Sequence, residues 1–153
     1  MCNNLLTVDK LLSYDLFYDN EYLHKYVDLI NSNINREKEK YITERHHIIP
    51  KVYYKKNKLD VDNSEDNLVN LIYYDHVLAH CLLCLSFKYD YYISASIDAI
   101  YAIINNNTDK DFKYSNLEDI VANFEYLKPL LKCKHFVDED QKIKLSVISS
   151  NSK

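Results

Sequence analysis

Two pairs of histidines dominate the chemistry available to this chain. His46 and His47 stand side by side in "ERHHIIP" (44–50), and His76 and His80 stand four residues apart in "DHVLAH" (75–80). Residues four apart in a helix emerge from one face a turn apart, so two imidazoles at that spacing can grip one metal ion. His46 and His47 read as strand residues, and neighbours in a strand point to opposite faces, so that pair cannot share one job. Asn67 lies between the two pairs, at the turn into a short apolar run.

The elements that must hold these side chains follow from the pattern around them. Residues 41–49 are short, β-branched and aromatic and stop at Pro50, which predicts a strand or an extended arm. A lysine- and tyrosine-rich loop is expected over 51–66, and Leu68, Val69 and Leu71 suggest a second short strand. Val77, Leu78, Leu82, Leu83 and Leu85 supply the buried side of a helix over 74–87, and another is expected over 90–104. Upstream, Asn20 is an N-cap for a helix over 20–35 whose inward face carries Leu23, Tyr26, Val27, Ile30 and Ile34. Downstream, Ser115 and Glu118 match a capping box opening a helix that runs to Pro129, so 90–132 reads as helical support. The tail over 133–153 turns polar.

Composition bounds the rest. At 153 residues and 47% apolar, the chain fits one domain burying about 70% of its unfolded surface. Four cysteines are too few for a disulfide scaffold, which favours a reducing, cytoplasmic setting. The N-terminus lacks the basic-then-apolar pattern of a signal peptide, and no apolar stretch is long enough to span a bilayer. The formal net charge of −4 disfavours wrapping nucleic acid by bulk charge but leaves a local basic patch open. Glycine is absent, so asparagine is expected at left-handed backbone positions, in 31–33 and 105–107.

Taken together, "ERHHIIP" (44–50), "NLVNL" (67–71) and "DHVLAH" (75–80) resemble the HNH, or His-Me finger, endonucleases, with the small phage-type homing enzymes as the nearest group. The upstream "YDNEYLHKYVDLI" is similar to that group as well. The resemblance implies an α+β fold: a ββα-metal core over 41–87, flanked by N-terminal and C-terminal helices. It makes His46, His76 and His80 ligands of one divalent ion (Mg²⁺, Mn²⁺ or Zn²⁺) and His47 the general base. Asn67 then holds the histidine loop through hydrogen bonds, although in some relatives the asparagine is itself a ligand. The implied reaction is hydrolysis of DNA to 5′-phosphate and 3′-hydroxyl ends. One site per chain implies nicking by a monomer and double-strand cuts by a homodimer.

The residue types suit that reaction on their own terms. Phosphodiester hydrolysis needs a water deprotonated as it attacks and a cation to offset charge on the phosphate and the departing oxygen. An imidazole, ordinarily titrating near ~6.5, suits the first task at neutral pH. Three imidazoles with open coordination positions suit the second.

Several positions carry two readings. Glu44 either orients a ligand histidine or pairs with Arg45 as a surface charge. Cys84, four after His80, is either an extra ligand or a small buried residue. Lys51, Lys55, Lys56 and Lys58, with Tyr53 and Tyr54, either contact DNA phosphates and bases or form a solvated basic loop. "DEDQKIKLSVISSNSK" (138–153) resembles a single divergent copy of a nuclease-associated modular DNA-binding motif, or is a polar tail. His24 and His135 have no evident role. The chain departs from its relatives in having no glycine in the 51–66 loop, and Ile72 where a threonine commonly caps the metal helix, which leaves Asn70 or Asp75 to serve its first amides. The rival functions are a non-specific or RNA-directed nuclease, and a metal-containing DNA-binding protein without catalysis. A toxin nuclease has no secretion or receptor module to support it.

Overall fold

The computed structural model describes residues 5–38 and 43–106, the last three by backbone alone. The expected capping box at 115, the helix to 129, the tail, Cys133 and His135 lie outside the described residues. Within them the architecture is α+β: five helices around one two-stranded antiparallel sheet.

A helix the sequence reading did not anticipate, α1 (Val8–Leu12), opens the described chain; Thr7 caps it by accepting from the Lys10 amide at 3.1 Å. Helix α2 (Glu21–Asn33) starts where expected, with the Asn20 Oδ1 accepting from the Leu23 amide at 3.0 Å. The same Asn20 side chain donates to the Leu85 carbonyl at 3.0 Å, so one residue starts α2 and ties it to a later helix. Leu23, Tyr26, Val27 and Ile30 all face inward, as the 3.6-residue period requires.

Strand β1 (Thr43–His47) pairs with β2 (Leu68–Ile72), placing Glu44 opposite Leu71, His46 opposite Val69 and His47 opposite Leu68. Alternation sends Glu44 and His46 to one face and Arg45 and His47 to the other. Helix α4 (Tyr73–Ser86) follows β2 directly, and α5 (Asp90–Asn106) packs along it. One core joins α2, α4 and the sheet; a second, built from Val77, Cys81, Cys84, Ile97, Ile100 and Tyr101, lies between α4 and α5. Cys84 is part of that second core, with its thiol directed to the Ile93 carbonyl.

Three local expectations are corrected. The 51–66 segment is not all loop: α3 (Lys51–Lys56) forms directly after Pro50, which stands at its N-cap in an extended conformation, φ −65° and ψ 149°. Tyr54 anchors α3 in the core, and Lys55 and Lys56 complement the negative end of the helix.

The left-handed positions fall on Asp15 (φ 52°) and Lys58 (φ 57°), not on asparagine. Residues 31–33 stay helical because their side chains are employed: Asn31 clamps Leu6 through its amide and carbonyl, at 2.8 and 2.9 Å, and Asn33 bonds back to the Leu29 carbonyl. Lys58 stands just past α3, where a left-handed residue usually ends a helix, and forces ~1 kcal/mol of backbone strain that glycine would avoid. Residues 105 and 106 belong to α5.

Neither Asn70 nor Asp75 caps α4, whose N-cap residue Ile72 makes no side-chain bond. The Asn70 amide group goes to the Arg36 carbonyl at 3.0 Å, and Asp75 is drawn to Asn33.

Candidate metal centre

The fold brings the two histidine pairs together. β1 delivers His46 inward and α4 delivers His76 and His80 from one face, so that a donor atom from each lies within 4.8 Å of the others. Ring centroids are 5.0 to 5.3 Å apart around the triangle. His46 and His76 are buried and His80 is partly buried. Burial, with the neighbouring imidazoles added, holds His46 well below the ordinary histidine range, and the same causes act on His80. Both are therefore neutral near pH 7 and keep a lone pair for an ion.

Each imidazole can be followed to its partner. The Glu44 carboxylate accepts from His76 Nδ1 at 3.3 Å, so that in the neutral ring the lone pair is on Nε2. Of the two readings of Glu44, the bond to the histidine is the one present. His46 Nε2 lies 2.7 Å from the Tyr26 hydroxyl, which donates to the Ile48 carbonyl at 2.9 Å. Among the described residues, His80 Nδ1 is buried with no hydrogen-bond partner. An orphaned imidazole nitrogen is costly in an apolar interior, and coordination to an ion is one way to remove that cost. The donor set fits a divalent transition metal.

His47, on the opposite face of β1, donates from Nε2 to the Asn63 Oδ1 at 2.8 Å. That leaves Nδ1 as its basic atom. Asn67 is buried and fully engaged: its Oδ1 accepts from the Ile49 amide at 2.8 Å, and its Nδ2 donates to the carbonyls of Asp62 at 2.9 Å and Ile49 at 3.3 Å. Its own carbonyl accepts from the Ile48 amide at 2.9 Å. Asn67 thus pins the chain just after the histidine pair and lies outside the three-histidine cluster.

A cleft of about 610 Å³ opens onto the cluster. His46, His76 and His80 line it together with His47, Arg45, Lys51 and Lys55, and α5 forms a wall of Ala95, Ser96, Ala99 and Ala102. Lys56 is turned away, its ammonium 4.1 Å from the Tyr91 ring centroid, and Lys58 does not reach the cleft lining. Tyr54 is 8% exposed and packed in the core, where burial first and nearby Tyr14 and Asp62 next push its phenol up to about 12. It is not available to stack on a base.

Asn63, Tyr26 and the α5 wall escaped the sequence reading. Asn63 carries no local signal, being sixteen residues from His47. For Tyr26 the only hint is a phenol in place of an aliphatic residue on a buried helical face.

Comparison with protein-family models, with curated proteins and with solved structures returns no match. Among the described residues, no helix is long and apolar enough to cross a membrane.

Proposed function

We propose that this chain is a metal-dependent endonuclease of the HNH, or His-Me finger, type that hydrolyses DNA phosphodiester bonds, with β1, β2 and α4 as a ββα-metal core. One observation carries the reading. Three imidazoles, two of them held neutral by burial, meet in a cleft whose wall also holds a fourth histidine, which donates from Nε2 to Asn63.

In this reading His46, His76 and His80 hold one divalent ion. The ion supplies electrostatic stabilisation of the phosphate and of the departing 3′ oxygen. Imidazole donors suit Zn²⁺ or Mn²⁺ better than Mg²⁺, which prefers oxygen. His47 Nδ1 accepts a proton from the attacking water, while the Asn63 bond at Nε2 fixes the ring and its tautomer. Asn67 sets where both histidines stand by anchoring Ile48 and Ile49. Arg45, Lys51 and Lys55 contribute phosphate-binding charge at the cleft, which an overall charge of −4 does not preclude.

The test is nicking of supercoiled plasmid by the purified chain with Mg²⁺, Mn²⁺ or Zn²⁺ against a chelator, alongside His47→Ala and a structured RNA. Metal-dependent nicking lost in the variant supports the reading, and preference for RNA would redirect the substrate. If the wild type binds metal and DNA but is inert with every ion, the chain is a binding protein and catalysis is excluded.

A further inference from the structure

The proposed centre draws on a helix outside its strand–strand–helix unit. Tyr26, from α2, is fully buried, and its ring stands edge-on to His46 with centroids 6.0 Å apart. Its hydroxyl makes two short contacts, 2.9 Å to the Ile48 carbonyl and 2.7 Å to His46 Nε2. A phenol has a single hydrogen, and a carbonyl can only accept, so that hydrogen belongs to Ile48. Toward His46 the oxygen must then accept, and Nε2 must carry a proton. A neutral imidazole has one N–H, which leaves the lone pair on Nδ1.

We propose that Tyr26 is a positioning residue for the metal centre: it holds His46 as the Nε2-protonated tautomer, so that His46 offers Nδ1 to the ion. This inference rests on the metal-centre reading above and adds a residue and a donor atom to it. The arrangement divides the ligands into two kinds. His76 is held through Nδ1 by Glu44 and offers Nε2, whereas His46 is held through Nε2 by Tyr26 and offers Nδ1. Because the same hydroxyl binds the Ile48 carbonyl, Tyr26 fixes the ring and the backbone two residues beyond it as one unit. A ligand whose other nitrogen is held by a neighbour binds metal in one orientation, without the loss of an alternative tautomer.

The experiment uses the full chain with ¹⁵N-labelled histidine. Two-bond ¹H–¹⁵N correlation of the metal-free protein is expected to show His46 with a protonated Nε2 and a bare Nδ1, and added Zn²⁺ is expected to move the Nδ1 signal. A His46 protonated at Nδ1, or a Zn²⁺ shift centred on Nε2, overturns the proposal. This measurement needs no variant, so it stands even if a substitution fails to fold.

In parallel, Tyr26→Phe is expected to weaken Zn²⁺ affinity about 10- to 100-fold in competition with a chromophoric chelator. Ile30→Val, at another fully buried position of α2, is expected to lower stability and leave that affinity unchanged. Equal affinity in Tyr26→Phe and wild type, or equal losses in the two variants, overturns the positioning role. A wild type that binds no Zn²⁺ overturns the metal-centre reading itself, and this inference with it.

Discussion

Glu44 on β1 and His76 on α4, thirty-two residues apart in sequence, meet at 3.3 Å, carboxylate oxygen to Nδ1. The contact favours the His76 tautomer with its proton on Nδ1 and its lone pair on Nε2. Because Glu44 is substantially exposed, its removal takes little packing with it. Glu44→Ala is expected to weaken metal affinity about 10-fold or more while the metal-free thermal midpoint stays nearly unchanged. Metal titration followed by calorimetry tests this, and an unaltered affinity would show that the carboxylate does not orient the ring.

The two histidine faces predict separable defects. His47→Ala is expected to cut the nicking rate by about 10²- to 10⁴-fold with metal affinity intact. His80→Ala is expected to lose metal binding and nicking together. Parallel rate and binding assays distinguish these outcomes, and loss of metal by the His47 variant would contradict the division of labour.

Asn67→Ala removes three side-chain hydrogen bonds and strands the buried Ile49 amide. The expected loss is about 2 kcal/mol in urea denaturation, the usual penalty for an unsatisfied buried donor. A near-neutral result would mean that water replaces the asparagine.

Acid should destabilise the metal-free protein before ordinary carboxylates titrate. Burial and the neighbouring imidazoles hold His46 and His80 below the ordinary histidine value, whereas in the unfolded chain they take up protons near ~6.5. Between those limits the unfolded state binds more protons, so stability falls as pH falls. It is fully present above about pH 7 and declines from about 6.5 downward by up to ~1.4 kcal/mol per pH unit for each histidine. Urea melts in chelator at pH 7.5, 6.5 and 5.5 measure this. Stability that is flat across the series would mean that the cluster is open to solvent.

The lysines divide by position. Lys51 and Lys55 face the cleft, Lys56 covers Tyr91, and Lys58 does not reach the cleft. Lys51→Ala and Lys55→Ala are each expected to weaken DNA binding and reduce its salt dependence by about one counterion. Lys58→Ala is expected to change neither. Binding isotherms at several salt concentrations are decisive, and an equal effect of Lys58 would indicate a diffuse basic surface.

Local pattern alone carried much of this molecule. The four-residue step from His76 to His80 places both rings on one helical face whatever surrounds the helix. The Asn20 cap, the apolar face of α2 and the strand–strand–helix order around Asn67 are likewise properties of neighbours in sequence. The α3 helix and the strained Lys58 were not legible, because a lysine-rich stretch without glycine resembles loop until Tyr54 is seen to dock in the core.

The remainder depended on distances that only packing sets. Nothing local ties Tyr26 to His46, Asn63 to His47 or Glu44 to His76, at separations of twenty, sixteen and thirty-two residues. Periodicity states which face a side chain takes; it does not state which other element will cover that face. The sequence by itself therefore determined which imidazoles could act. For His46, His76 and His47 the tertiary structure decided which nitrogen is engaged, because hydrogen-bond partners from α2, β1 and the segment before β2 reach one nitrogen of each.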